Sequence, residues 1–421
     1  MSRRIAAGAI LALGLFSAGA QAKPLGLVPD VSGPRARILT SPNPNNLPYQ
    51  GGPVLHHNRS HLIFWEPQGS GLQFDPGYVP VLEQFMSDVS AASHSTSNVY
   101  GLSGQYTDGF GPAAYDSAYG GAVMATDPLP SNGCVEPPVT GPGWTVCLTD
   151  RQLQAEIEHV VAADRLPTTD YDVYFLVTPN GLGDCTDQSS NSCALGGSAS
   201  GYCGYHSVTS NGEILYAVIP YNAVAGHCQS GNPRPNGSTA DPTISSVSHE
   251  HNEMVTDPVG DAWIDSGGNE DGDLCITNFG PAIGGTGASA WNEEVAGGHY
   301  WLQGEWSNYD GACEARALPD QAWFSVKLRA SAGKPTELAG AGSDPHGGIV
   351  GYLWRFGDGT TGHGRNVRHV FRRPGDYRVT LRTTDSAGNW TFYTRAIRVS
   401  AARERRGTPV RGRSPGPTKS G

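Results

Sequence analysis

The chain has 421 residues, including 57 Gly, 31 Pro, nine Trp and 17 Tyr, and hydrophobic residues make up 38% of it. This length allows two or three domains, and the composition excludes a coiled coil, a long helical bundle and a collagen-like repeat. Residues 23–322 carry eight Lys or Arg against 33 Asp or Glu, whereas residues 323–421 carry 18 against six, so we predict that the acidic body binds no nucleic acid.

The N-terminus has the three parts of an export signal. Arg3 and Arg4 supply the positive start, residues 5–20 are mostly apolar, and Ala20-Gln21-Ala22 forms a small-x-small cleavage site. No later segment reaches the roughly 18 consecutive apolar residues of a membrane span, so we expect no transmembrane segment in the mature chain. We predict a signal peptide over residues 1–22, cleaved near Ala22, and a secreted protein, either extracellular or periplasmic.

Strand and helix patterns alternate along residues 23–316. Short apolar runs predict strands, and apolar residues at helical spacing predict helices. Thr149 and Gln152 have the spacing of a capping box, which marks the start of a helix. The predicted strands cover residues 61–65, 172–178 and 214–220, and the predicted helices cover residues 79–89 and the segment after Thr149. This alternation predicts a mixed α/β or α+β body.

The body contains all eight cysteines of the chain, which fits export to an oxidising compartment. Pairing each cysteine with its neighbour closes four modest loops, and we predict this pattern among the 105 that eight cysteines allow. The alternative is a zinc–thiolate site, which the absence of any C-x-x-C motif disfavours. The predicted disulfides are Cys134–Cys147, Cys185–Cys193, Cys203–Cys228 and Cys275–Cys313.

The segment 244–258 contains the motif H-E-x-x-E, formed by His249, Glu250 and Glu253. On a helix, His249 and Glu253 share one face at i and i+4, whereas His251 belongs to the opposite, core-facing stripe. An imidazole and a carboxylate so placed can hold a metal, and the adjacent Glu250 can act on a metal-bound water as general base and acid. Pro258 should end the helix. The alternative is a solvated helix face that binds no metal.

Zinc requires a third protein ligand, and the acidic segment downstream supplies candidates. Glu270 follows Glu253 by 17 residues, a spacing that lets the chain return to the helix. Asn269-Glu270 with an acid shortly after it resembles the third-ligand segment of glutamate-zincin peptidases. That resemblance implies that Glu270 binds the metal and that Asp273 orients His249. Asp273 and His206 remain alternative ligands.

Other chemistries have weaker support in the sequence. Asn269, Asp271 and Asp273 alternate like the ligands of a calcium loop, although Gly272 does not match the glycine position of an EF-hand, so calcium remains a second cofactor candidate. His299 and Tyr300 are oxyanion-stabilising candidates by residue type alone. No G-x-S-x-G motif occurs, which disfavours a serine hydrolase.

The body shares scattered segments with a known secreted family. These are G-G-P-V-L (51–55), L-I-F-W (62–65), Y-C-G-Y-H (202–206) and the H-E-H-N-E-M-V-T-D-P to G-D-L-C stretch (249–275). They resemble bacterial relatives of the plant phosphate-induced, EXORDIUM-like proteins. The resemblance implies a secreted protein, and the H-E-x-x-E core favours a zincin-like fold.

Residues 323–400 change to period-2 alternation with Gly- and Pro-containing turns, which predicts a small β-sandwich. Apolar residues include Tyr352, Trp354 and Phe356 on one strand. The last strand carries Trp390, Phe392 and Ile397. Y-L-W-R-F-G-D-G-T (352–360), V-F-R-R-P-G-D-Y-R-V-T-L (370–381) and T-D-S-A-G-N (384–389) resemble PKD (polycystic kidney disease) domains. The resemblance implies an extracellular immunoglobulin-like module. Residues 401–421 form a basic tail that we predict to be disordered.

Together these features predict a secreted zinc-dependent metallopeptidase-like protein that hydrolyses peptide bonds with metal-activated water. Its zincin-like α+β body would be linked by disulfides and followed by a PKD β-sandwich. His249, Glu253 and Glu270 would bind zinc, and its partner would be a protein or peptide substrate. The competing prediction is a non-catalytic extracellular protein that binds cell-wall or matrix glycan.

Overall fold

The computed structural model describes residues 25–29, 46–134, 144–189, 191–196, 200–316, 321–326, 330–343, 348–385 and 390–401. The chain divides mainly into two compact units, one up to Asp320 and one from Gln321 onward. The predicted signal peptide (1–22) and residues 402–421 of the predicted tail lie outside the described residues.

A mixed sheet forms the centre of the larger unit. Its strand order is β3-β2-β5-β9-β8-β7-β6-β4, and β1 pairs with β8. The four strands from β3 to β9 are parallel, whereas β8 runs antiparallel to β9. The strands among the described residues are β1 (Leu25–Pro29), β2 (Asn58–Trp65), β3 (Ser117–Ala125), β4 (Val146–Thr149), β5 (Asp172–Val177), β6 (Leu182–Cys185), β7 (Ser192–Ala194), β8 (Ser200–Val208) and β9 (Leu215–Ile219).

Helices cover both faces of this sheet, which explains why its central strands are apolar at consecutive positions. In β2, Leu62 and Phe64 pack with helices α1 (Tyr78–Ala91) and α3 (Asp241–Thr256). Ile63 and Trp65 point to the other face and pack with α2 (Asp150–Asp164). The body is therefore a mixed α/β domain, as predicted.

The helices begin and end close to the predicted positions. Gln152 accepts a hydrogen bond from the backbone N–H of Thr149 at 3.0 Å, so the predicted capping box forms at the start of α2. Helix α3 ends at Thr256, two residues before Pro258. Three short 3-10 segments cover Val99–Gln105, Asp273–Cys275 and Gly287–Ser289. No helix in the described ranges is long and apolar enough to cross a membrane.

The eight cysteines form the four predicted disulfides, Cys134–Cys147, Cys185–Cys193, Cys203–Cys228 and Cys275–Cys313. The zinc–thiolate alternative is therefore wrong, because every thiol is oxidised. Two hairpins follow α3: β10 (Glu293–Val295) with β11 (Gly298–Tyr300), and β12 (Glu305–Ser307) with β13 (Ala312–Glu314). The Cys275–Cys313 bridge links the 3-10 segment Asp273–Cys275 to β13.

The smaller unit contains two antiparallel sheets with strand orders β14-β15-β18 and β17-β16-β19-β20. Its core includes the predicted Trp354 and Phe356, together with Val379 and Leu381 from β19. Trp390 and Phe392, by contrast, are 41% and 62% exposed. In β20 the buried residues are Ile397 and Val399. They have odd residue numbers, whereas Trp390 and Phe392 have even ones. The strands are β14 (Gln321–Val326), β15 (Pro335–Ser343), β16 (Ile349–Arg355), β17 (Thr361–His363), β18 (Asn366–Val370), β19 (Gly375–Asp385) and β20 (Trp390–Val399).

Candidate metal centre

Helix α3 carries the H-E-x-x-E motif and is buried along its whole length. Asp241 in its first turn accepts a hydrogen bond from the Ser238 backbone N–H at 2.9 Å. The predicted core face is confirmed by His251, whose Nε2 lies 2.8 Å from Asn58 Oδ1. The opposite face is buried as well, so the alternative of a solvated helix face is wrong.

His249 and Glu253 meet on this second face, as their spacing predicts. His249 Nε2 lies 2.9 Å from Glu253 Oε1. The segment that follows α3 returns to the same place, where the backbone N–H of Asp273 donates to Glu253 Oε1 at 3.1 Å. Asp273 Oδ1 lies 3.8 Å from His249 Nε2. His249, Glu253 and Asp273 thus form a group of three side chains whose geometry is compatible with one metal ion.

Gly272 is the position that lets the returning segment approach so closely. A Cβ at this residue would lie 2.8 Å from His249 Cε1 and 2.9 Å from Glu253 Oε1. Both contacts are shorter than side-chain carbons tolerate, and any larger residue would displace His249 and Glu253 of the motif. The glycine in Glu270-Asp271-Gly272-Asp273 therefore has a packing role that the sequence pattern did not reveal.

His206 is the second histidine of the cluster and comes from β8. Its Nδ1 lies 3.1 Å from Glu250 Oε2 and 3.7 Å from Glu253 Oε2. Its Nε2 lies 3.8 Å from Glu270 Oε1. His206, Glu250 and Glu253 form a second group that could hold a metal. Glu270, the predicted third ligand, is thus placed beside His206, whereas Asp273 is placed beside His249.

Seven carboxylates are buried in and around this cluster, and sequence reasoning missed two of them, Asp257 and Glu305. Asp257 follows α3 directly, so its proximity to the motif was a usable signal. Glu305 lies on the β12–β13 hairpin, and no spacing connects it to the motif. The seven are Glu250, Glu253, Asp257, Glu270, Asp271, Asp273 and Glu305.

The surroundings of the cluster disfavour the charged forms of its side chains. Within the described part of the chain, no Lys or Arg forms an ion pair with any of the seven carboxylates. Burial, and after it the neighbouring acids, raise the pKa of Glu253 and Glu270 well above the usual range. Burial also raises the pKa of Asp271 to about 6 and lowers that of His206 to about 3. Each group is therefore driven toward its neutral form.

Several oxygens of these buried acids have no hydrogen-bond partner among the described residues. They are Glu250 Oε1, Glu253 Oε2, Asp257 Oδ2, Glu305 Oε2 and both carboxylate oxygens of Glu270. Buried polar atoms are normally paired, and an unpaired carboxylate oxygen is costly. Imidazole and carboxylate are ligands that zinc accepts, so the donor set and its unpaired atoms fit a bound divalent cation.

The other sequence candidates lie in different surroundings. The Tyr300 hydroxyl donates to Asp88 Oδ2 at 2.6 Å, and the His299 ring stacks on Trp291. Neither contact involves a residue of the candidate metal centre. In the proposed calcium loop, Asp271 accepts from the Thr256 hydroxyl at 3.1 Å, and Asn269 Nδ2 donates to Asp265. Asn269, Asp271 and Asp273 therefore have separate partners.

Fold and site together describe a disulfide-linked α/β body with a candidate metal centre, followed by a β-sandwich. Residues 318–400 match the family model of the PKD domain. The C-terminal domain is therefore a PKD domain, as the sequence predicted. This domain and the disulfides are consistent with an extracellular protein.

Parts of the chain are similar to one curated protein and to two solved domains. A segment of 117 residues is 32% identical to a microbial collagenase of Vibrio alginolyticus, covering 24% of this chain and 14% of that protein. The chain thus spans a small part of the length of this curated relative. The PKD1 domain of the Vibrio cholerae metalloprotease PrtV is 30% identical over 20% of this chain and 99% of its own, with a TM-score of 0.18. The PKD1 domain of Vibrio anguillarum Epp is 26% identical over 20% and 98%, with a TM-score of 0.19.

Proposed function

We propose that the body is a secreted zinc-dependent peptidase whose metal is bound by His249, Glu253 and Asp273. The observation that carries this proposal is the fully buried cluster of acids, which has unpaired oxygens and no Lys or Arg partner among the residues that the structure describes. Zinc bonds of about 2.0–2.2 Å place neighbouring ligand atoms roughly 3.3 Å apart. The separations of 2.9 and 3.8 Å from His249 Nε2 bracket that value.

Asp273 replaces Glu270 as the third ligand in this proposal. Glu270 follows the motif at a plausible spacing, but its nearest imidazole is that of His206. The side chain of Asp273 lies near His249, and its backbone N–H donates a hydrogen bond to Glu253.

Glu250 is the proposed general base and acid. A zinc ion in this site would acidify a bound water and polarise a peptide carbonyl. Glu250 would take the proton of the attacking water and deliver it to the leaving amine. Burial, followed by the charges of Glu253 and Asp273, raises its pKa well above the usual range, which suits a group that alternately accepts and donates a proton. His206, 3.1 Å away, would hold the carboxylate in position.

Glu250→Gln tests the catalytic assignment. The variant should bind zinc like the wild type but lose about 10²–10⁴-fold in peptide hydrolysis, because the general base is absent. Glu294→Gln is a matched control, since Glu294 is exposed on β10. Peptide hydrolysis is measured with a fluorogenic peptide library, and metal content is measured on the same samples. Undiminished hydrolysis by Glu250→Gln would contradict the assignment.

A second function has one observation in its favour. Every group of the cluster is buried, which also suits a closed metal site that only stabilises a glycan-binding or cell-surface protein. Stable zinc binding with no hydrolysis of any peptide, together with binding of the body to cell-wall glycan, would favour this second function over the peptidase.

A further inference from the structure

The N-terminal strand β1 lies directly beside the candidate metal centre. It pairs antiparallel with β8, with Leu25 opposite His206 and Val28 opposite Gly204. His206 also pairs with Ala217 of β9, so β9 and β1 flank β8 on its two edges. Without β1, this part of β8 would be an open sheet edge, a surface on which an extended peptide can add as a further strand.

The contacts of β1 connect it to the proposed catalytic group. Val28 is 98% buried. Burial raises the pKa of Glu250, and the backbone N–H of Val28 acts in the opposite direction by favouring the ionised carboxylate. Gly204, the pairing partner of Val28, also faces Glu250, because a Cβ there would lie 3.1 Å from Glu250 Oε1. Strand β1 packs against α3 and against the segment Asp273–Cys275 as well. Strand β1 therefore contacts both elements that supply the proposed ligands.

We infer that β1 is a self-inhibitory strand: residues 25–29 occupy the edge of β8 where an extended peptide substrate would pair, and they close the metal centre to solvent. This inference rests on the proposed function and explains how a centre with every group buried can belong to an enzyme. Displacement or proteolytic removal of β1 would expose Glu250 and the edge of β8. The opened site would bind an extended peptide.

Two variants of the secreted chain test this inference. Val28→Pro removes the N–H that faces Glu250, whereas the matched control Val28→Ala keeps it. A second chain lacks residues 23–29, and its folding is checked by circular dichroism and by the absence of free thiols. In Val28→Pro, zinc transfer to a chromogenic chelator should accelerate about tenfold, the order expected when one hydrogen bond to a charged group is lost. Val28→Ala should transfer zinc like the wild type.

Peptide addition separates this inference from the proposed function. A synthetic peptide of residues 23–31 should bind the shortened chain saturably, with or without metal, and slow zinc transfer again. The same peptide with Pro in place of Val28 should bind at least about tenfold more weakly. Unchanged zinc transfer in Val28→Pro, or no binding of the peptide to a folded shortened chain, would overturn the inference. Peptide binding by a chain that holds no zinc would support it while contradicting the peptidase.

Discussion

At the scale of single residues, Gly272 provides the cleanest test of the site geometry. Its backbone has φ −69° and ψ −42°, which any residue adopts, so Gly272→Ala adds a methyl group without backbone strain. That methyl would collide with His249 and Glu253. We expect zinc affinity to fall by roughly tenfold or more, because overpacking a buried site costs about 1–3 kcal/mol.

The control for this prediction is Gly231→Ala. Gly231 has open space around its Cβ position and no left-handed backbone conformation, so zinc affinity should stay unchanged. Competition titration against a fluorescent zinc indicator measures both variants. Equal affinity in Gly272→Ala and the wild type would mean that His249 and Glu253 do not bind the metal.

The raised carboxyl pKa values predict a pH dependence of zinc binding. Burial, with Glu253 and other neighbouring charges after it, raises the pKa of Asp273 well above its usual range, and Glu253 is affected in the same direction. Zinc binds the ionised form, so these groups must lose protons when zinc enters. Affinity should therefore increase as pH rises and decrease as it falls, with about one or more protons released per zinc near pH 7.

Isothermal titration calorimetry in two buffers of different ionisation enthalpy measures this proton release. Zinc should be added to the metal-free chain at several pH values. Binding that releases no protons and has the same affinity at all pH values would show that these carboxyls are not ligands.

At the scale of secondary-structure elements, the disulfide Cys275–Cys313 holds the segment that carries Asp273 in place. Cys275 ends the 3-10 segment that starts with Asp273, and its partner lies on β13. Replacing both cysteines with Ser should lower stability by about 2–4 kcal/mol and also weaken zinc binding, because Asp273 loses its covalent support.

The bridge Cys134–Cys147 offers a matched control for this prediction. It packs with Cys185–Cys193 near β4 and β6, and no residue of this cluster belongs to the metal centre. The double Ser variant of this pair should lose stability in chemical denaturation but keep the zinc affinity of the wild type. Equal loss of zinc affinity in both double variants would indicate a general folding defect.

Helices and strands were predictable from the sequence where a short stretch of residues carries the whole pattern. The periodicity and stop signal of α3 placed His249 and Glu253 on one face, and the apolar runs placed β2, β5 and β9. The positions of Glu270 beside His206 and of Asp273 beside His249 were not predictable, because they depend on tertiary contacts that no sequence period records. Glu305 was hidden for the same reason, since only the tertiary fold brings its hairpin to α3.

At the scale of the whole molecule, the chain combines a PKD domain, which sequence motifs identify, with an α/β body. The function of the body is inferred from the chemistry of its buried side chains. The β-sandwich was evident from strand alternation and PKD motifs, because both are contiguous in sequence. Of the three apolar residues that the pattern places on its last strand, Trp390 and Phe392 are exposed and Ile397 lies in the core, together with Val399. Both functions proposed for the body require that a metal neutralises the buried acids. This holds for the peptidase and for the glycan-binding or cell-surface protein with a closed metal site.

Metal content of the purified full chain tests this central claim most directly. Elemental analysis should compare the wild type with His249→Ala after equilibration with zinc and removal of free metal. The account predicts about one zinc per wild-type chain and loss of that zinc in His249→Ala, since three protein ligands define a catalytic zinc site. Absence of zinc from both proteins, or equal zinc in both, would contradict it.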